Sequence, residues 1–398
     1  MGTHRLHRDK GASALKKRGI AGISAIALLI AGCASEPPTT SPAPAPSPAP
    51  SPESPSTTEP ETGFFDGATI QIMVPAGPGG GSDNAARLVA NILPKYLEGN
   101  VSVQVYNEDG AGAQIPVNQW VARPSDGFDM VVISPSSIIP WLLGESLVEY
   151  EPGEMHLVWA QPAGRAVVAA TSTGITSPRD FLNPAEPLFS GGRAPGSADM
   201  LMVLGLEVLQ LRGIVQQIWG YSGGGATRTA LEQGELNIDD TQPGRLLGAD
   251  SYLLEDGLVE IIYTHGNVSG GQIGPDTLLP EIPTIRDAYI ELYGSEPSGP
   301  AWEAFLAVTE LISSAQWSIY MHPDTPANAV AEMRAAIEAA VQDAEYVDLA
   351  PNVLGPESPI VGDGIPNYER TLREIDSSML SWLREFMRVE FELDGLGS

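Results

Sequence analysis

The chain has 398 residues, with 21 lysines and arginines against 50 aspartates and glutamates, a formal net charge of −29 and one cysteine. The long-range field of so acidic a surface repels phosphates, which excludes nucleic acid as a partner. A single cysteine excludes intrachain disulfides and zinc–cysteinate sites.

In chain order, the N-terminus comes first and has three zones. Arg5, Arg8, Lys10, Lys16, Lys17 and Arg18 make it basic, an apolar run covers residues 20–30, and Ile30-Ala31-Gly32-Cys33 closes it with small residues before the cysteine. The apolar run is about half of the ~20 residues that span a bilayer, so residues 1–32 read as a signal peptide rather than an anchor helix. Cysteine directly after the cleavage site is what a bacterial lipoprotein signal requires, because the thiol of Cys33 receives the diacylglycerol. A plain secretory signal with a chance cysteine is the alternative. More than one acyl chain suffices for stable anchoring to a membrane.

Residues 33–66 hold that cysteine and a stretch dominated by Pro, Ala, Ser, Thr and Glu. Such a segment has too little to bury to offset its ordering entropy, and it is expected to form an extended, disordered stalk. Six of the bases and one acid, Asp9, precede Cys33, which leaves 15 bases against 49 acids, with Lys95 the only lysine. An anionic ligand of such a protein has to be held by local dipoles, since net charge opposes it.

The remainder is long enough for two lobes with separate cores. Residues 69–74 read as a strand, followed by a helix that starts near Ser82 or Asp83, carries Ala85, Leu88, Val89 and Ile92 at helical spacing, and ends or kinks at Pro94. Residues 101–105 form a second strand, Gly110-Ala111-Gly112-Ala113 leads into a second helix, and residues 130–133 form a third strand. This βαβαβ start predicts a mostly parallel α/β sheet. A second such unit has strands at 166–170, 188–190 and 215–219 and helices at 197–210 and 226–233. Asp324-Thr325-Pro326 then opens a helix with Val330, Met333, Ile337 and Val341 on one face. The expected organisation is a first lobe over 67–163, a second over 164–300 and a return to the first over 301–398, with a cleft between the lobes.

Four glycine-rich turns lie where strand meets helix: residues 75–83, 109–113, 190–197 and 220–225. Glycines let the backbone approach a ligand, and the free N–H groups of a helix start favour an anion. The first turn is neither a Walker A loop, lacking Gly-Lys-Ser/Thr, nor a dinucleotide fingerprint, since Ser82 stands where the third glycine belongs. Two such turns per lobe, all at the carboxyl ends of strands, occupy the place where open α/β sheets bind ligands. Gly220-Tyr221-Ser222-Gly223-Gly224 also fits G-x-S-x-G, which admits a secreted serine hydrolase with Ser222 as nucleophile and His265 or His322 as base. His156, His265 and His322 have no metal spacing, and no cofactor is implied. The tryptophans, Trp317 among them, read as core or hinge packing, with one near the cleft a possible cover for a ligand. The acid-rich stretch 235–240 reads as a solvated face, and Arg87 and Arg193 as possible carboxylate partners.

The loops together resemble those of the substrate-binding proteins of tripartite tricarboxylate transporters. Val74-Pro75-Ala76-Gly77-Pro78-Gly79-Gly80-Gly81-Ser82-Asp83 resembles the family's first loop and helix start, and Asn107-Glu108-Asp109-Gly110-Ala111-Gly112 its Asn-x-x-Gly-Ala-Gly turn. Pro124-Ser125-Asp126-Gly127-Phe128 resembles a Pro-Asp-Gly-aromatic step, and residues 191–199 and 221–225 the second lobe's two loops. Glu281-Ile282-Pro283-Thr284 and Pro323-Asp324-Thr325-Pro326 resemble later signatures. The resemblance implies a non-enzymatic, two-lobed periplasmic-binding (flytrap) fold, monomeric, each lobe a mostly parallel sheet flanked by helices. Its partners would be a small organic anion and the integral-membrane permease subunits. Ala76, Gly77, Pro78, Gly79, Gly80, Gly81, Ser82, Asp83, Gly110, Ala111, Gly112, Ala113 and Ser134 are the ligand-binding residues it implies in the first lobe. Gly191, Gly192, Arg193, Ser197, Asp199, Tyr221 and Ser222 are those in the second. Ser82, and Met200 after Asp199, depart from the family's usual residues and bear on which ligand is taken.

Overall fold

The computed structural model describes residues 63–397. The signal segment, Cys33 and most of the stalk lie outside the described residues. The folded unit nevertheless begins earlier than position 67. Phe65 is fully buried, its ring 5.1 Å from that of Phe64 and 6.0 Å from that of Phe128, and the Phe64 amide donates to Glu332. Two adjacent phenylalanines have apolar area to bury that the Pro/Ser/Thr tract lacks, so the expected stalk boundary at 66 moves toward the N-terminus.

The first lobe runs β1 (Thr69–Val74), α1 (Gly81–Ile92), β2 (Ser102–Asn107), α2 (Gln114–Val121), β3 (Asp129–Ile133), α3 (Pro135–Leu143) and β4 (His156–Gln161). The chain then enters the second lobe as β5 (Ala166–Ala170), β6 (Leu188–Gly192), α4 (Met200–Val208), β7 (Val215–Trp219), α5 (Gly224–Glu232), β8 (Ile238–Thr241), two short helices α6 (Pro243–Leu246) and α7 (Tyr252–Glu255), and β9 (Val259–Thr264). A hairpin of β10 (Asn267–Ser269) and β11 (Gln272–Gly274), then α8 (Ile285–Tyr293) and α9 (Pro300–Ser314), lead back to β12 (Trp317–Met321). Helices α10 (Ala327–Ala340), α11 (Ala344–Val353), α12 (Ile365–Arg373) and α13 (Ser377–Phe391) finish the chain. No helix among the described residues is long and apolar enough to cross a membrane.

Each lobe has a five-stranded sheet of the same plan: β2-β1-β3-β12-β4 and β7-β6-β8-β5-β9. Four strands of each run one way, and the fourth in spatial order, β12 or β5, is reversed against both neighbours. The mostly parallel sheets expected are therefore mixed. The reversed strand in each case is the one that follows a passage from the other lobe. A strand arriving by that route has no right-handed helical crossover to bring it in parallel, and it inserts antiparallel instead.

Local chemistry sets the element boundaries. Helix α1 buries Ala85, Leu88, Val89 and Ile92 against its sheet and ends at Ile92, because Pro94 lacks an N–H and would clash with the preceding turn. On α10, Val330, Met333 and Ile337 are buried as the spacing predicts, but Pro326 itself is the N-cap and neither Asp324 nor Thr325 caps the helix. The core around α4, α9, α12 and α13 joins apolar residues of both sheets, including Val131 and Tyr320 of the first and Val167 and Leu188 of the second. The cleft opens at the carboxyl ends of the parallel strands.

Candidate functional site

The cleft is about 1320 Å³ and is lined from both lobes. Ala76, Gly77, Gly79, Gly80, Gly81, Ser82, Gly112, Ala113 and Ser134 line it from the first lobe, and Gly191, Arg193, Ser197, Asp199, Tyr221 and Ser222 from the second. The four glycine-rich turns thus meet at one place. Pro78, Gly110 and Gly192 sit in the same turns but do not line the cleft, and Ala111 opens the short turn Ala111–Ala113.

Asp83 shapes the first wall from beneath. It is 2 % exposed, and its carboxylate accepts from the Gly79 amide (2.8 Å), from Arg87 Nε (2.9 Å) and from Asn107 Nδ2 (2.9 Å). Asn107 also donates to the Ala76 carbonyl at 3.0 Å, so one acid and one amide tie both ends of the loop to β2. Burial pushes the carboxyl up, but hydrogen bonds from Arg87, Gly79 and Asn107 outweigh it and hold the pKa below the usual aspartate value. Gly81 has a packing role: a Cβ there would lie 2.6 Å from the Trp317 indole, so only glycine lets the start of α1 rest on that ring.

Four of the helices that begin on the cleft without a side-chain cap have glycine, alanine or serine as N-cap. Their N-caps are Gly80 of α1, Ala113 of α2, Ser134 of α3 and Gly223 of α5, and all four line the cavity. Elsewhere Thr284, Asp343 and Asp376 cap α8, α11 and α13 with their side chains, while α9, α10 and α12 also start uncapped. Ala113 holds φ +90°, a strained region for any residue with a Cβ. The cleft ends are therefore left with unanswered backbone donors, each favouring an anion by roughly 0.3–1 kcal/mol.

The second wall is built from side chains. Asp199 accepts from the Arg193 amide and the Ser197 hydroxyl, both at 2.7 Å, and so fixes its loop as Asp83 does on the other side. The Arg193 guanidinium donates to the Ser222 carbonyl at 2.7 Å and reaches across to the Ser136 hydroxyl of α3 at 3.2 Å. Other arginines on the cleft have carboxylate partners: Arg87 with Asp83, Arg165 with Asp240, Arg245 with Asp250. Among the described residues Arg193 forms no ion pair.

Several lining residues carried no recognisable signal in the sequence. Arg165, Ser136, Gln316, Asp239 and Asp240 are among them. The acids of 235–240 are not all a solvated face: Asp239 and Asp240 belong to β8, Asp239 is buried, and the Asp240 side chain is 6 % exposed. Trp317 is 8 % exposed, packs in the first lobe's core and also lies on the cleft. The histidines are elsewhere. His265 is fully buried near Asp240, His322 bonds the Val121 carbonyl, and His156 bonds the Pro323 carbonyl. No histidine lines the cleft among the described residues, so Ser222 has no imidazole base there.

No known protein family and no curated protein is matched by the sequence. Solved structures do match. The periplasmic binding protein BugD superposes with a TM-score of 0.57 at 16 % identity, over 81 % of this chain and 97 % of its own. MatC of Rhodopseudomonas palustris, solved with malate, gives 0.55 at 17 % identity over 80 % and 98 %. The chain shares their fold. A TctC solute-binding protein from Polaromonas (TM-score 0.56, 15 % identity, 81 % and 98 %) and an R. palustris protein solved with adipate (0.57, 17 %, 80 % and 96 %) agree with them. The fold implied by the loop resemblance is the fold found, and its two-lobed α/β architecture is common to these neighbours.

Proposed function

We propose that this protein is an extracytoplasmic binding lipoprotein that captures a small carboxylate, a di- or tricarboxylate or a related organic acid, and delivers it to a permease of the tripartite tricarboxylate type. The observation that carries the reading is the convergence of four uncapped helix starts on one cleft. Backbone dipoles favour an anion inside a protein whose net charge does not. Arg193, without a carboxylate of its own, supplies a cation where the two lobes face each other. The neighbours solved with malate and adipate support the same ligand class. A lipid on Cys33 and a stalk would keep the receptor at high local concentration beside a permease in the same membrane.

A panel of mono-, di- and tricarboxylates, aromatic acids and neutral solutes, read by thermal unfolding, tests the reading. A true ligand at one hundred times its Kd stabilises by about 2.7 kcal/mol and raises Tm by a few degrees. A panel in which no acid shifts Tm and a neutral solute does would replace the carboxylate by another class.

A further inference from the structure

One acid on the second wall has no neutralising partner. Asp239, on β8, is 5 % exposed and lines the cleft. Thr227 of α5 lies beside it with its hydroxyl donating to the Gly224 carbonyl at 3.2 Å, and no cation among the described residues pairs with Asp239. The charged groups nearest to it are Asp240 beside it on β8, Asp199 at the head of α4 and Arg165 at the start of β5. Arg165 is engaged by Asp240 at 3.4 Å. On the helical side, Arg228 of α5 is held by Asp250 and Glu232, and Arg245 of α6 by Asp250. Asp239 therefore faces two acids and no uncommitted base. Burial and the charge of Asp240 push its pKa up to about 7.

This inference rests on the carboxylate reading of the cleft. We propose that Asp239 is a specificity-determining residue that couples ligand capture to a proton, so that an organic anion binds only when Asp239 is the neutral acid. Ionised, the residue would set a third negative charge against the ligand in a poorly solvated wall. Neutral, it offers an O–H donor in place of a repelling charge. The bound anion raises the pKa of Asp239 further, so binding above neutral pH draws a proton from solvent. Affinity is then level while Asp239 already holds its proton, and falls by up to about tenfold per unit as pH rises past that point.

The test is calorimetric titration of the purified protein with malate and with adipate at pH 6.5, 7.5 and 8.5, each in two buffers of different ionisation enthalpy. Both acids are fully ionised over that range, so a pH effect belongs to the protein. The expected result is weaker binding at pH 8.5 than at 6.5, with close to one proton taken up per ligand at pH 8.5. Asp239→Asn should bind without pH dependence or proton uptake, and at pH 8.5 more tightly than the unaltered protein, which loss of a merely structural residue would not produce. Should the variant fail to fold, the proton count on the unaltered protein decides alone. Binding that is level with pH and takes up no proton overturns the proton coupling and leaves the carboxylate reading standing. No binding of these or any other acid of the panel at any pH overturns both.

Discussion

Asp83 and Asp239 are two acids on opposite walls of one cleft, each almost wholly out of contact with water, and their pKa values are shifted in opposite directions. Asp83 lies just below the cleft surface with Arg87, Asn107 and the Gly79 amide on its oxygens, and its pKa is lowered. Asp239 lines the cleft beside the neighbouring acid Asp240, and its pKa is raised. Lost solvation opposes the charge at both sites; donors outweigh it at Asp83, whereas at Asp239 the charge of Asp240 adds to it. The first wall spends its acid on shaping backbone that faces the ligand; the second leaves an acid facing the ligand itself.

Removing the donors' target should produce the largest effect. Asp83→Ala leaves the Gly79 N–H without its acceptor and takes one acceptor each from the Asn107 amide, which keeps the Ala76 carbonyl, and the half-exposed Arg87, a loss of about 2–3 kcal/mol in denaturant unfolding. Carboxylate binding should fall by more than about a hundredfold as the loop over 75–83 loosens. Unchanged stability and affinity would mean that the first wall holds its shape without this acid.

The two acids also predict opposite pH responses of stability without ligand. With its pKa lowered, Asp83 contributes stability above the unfolded value near 3.8 that is lost as pH falls through its folded value. With its pKa raised to about 7, Asp239 contributes stability that is complete below 3.8 and is lost as pH rises toward 7. Relative to Asp239→Asn, the unaltered protein should therefore lose on the order of 2–4 kcal/mol between pH 4 and pH 8. Parallel stability curves for the two proteins would show that Asp239 titrates normally.

Arg193 probes the second wall from its cationic side. Arg193→Gln keeps a donor for Ser136 or the Ser222 carbonyl and removes the charge. A dicarboxylate should bind about ten- to thirtyfold more weakly, equivalent to about 1.4–2 kcal/mol, and a monocarboxylate much less so. Equal losses for both would place Arg193 in loop support rather than in ligand selection.

The same contrast explains what could be read in advance. The first wall is local: Gly79 and Gly81, Asp83 and its partner Arg87 all lie within one turn and the helix it opens, so residue types in a row announce it. Strand β1 and the face of α1 follow from alternation and from Pro94 in the same way. The second wall depends on distance in the chain. Asp240 is paired with Arg165, 75 positions away, and an acidic run on a four-residue strand looks like surface until β5 and β6 enclose it. Strands β4 and β12 pair with each other across more than 150 residues, and the reversal of β12 is set by the route of the chain between lobes, which no window of sequence contains.

Ser222 carries the smallest expected effect and separates the binding reading from hydrolysis. Its carbonyl holds Arg193, while among the described residues no histidine on the cleft stands ready to activate its hydroxyl. A nucleophile needs a base within hydrogen-bond reach; a turn residue that lends its backbone does not need its side chain. Ser222→Ala should therefore change carboxylate affinity less than about twofold and stability by less than about 0.5 kcal/mol. A fluorophosphonate should leave the unaltered protein unlabelled. Stoichiometric labelling that disappears in Ser222→Ala would reverse the assignment and make the second wall a catalytic one.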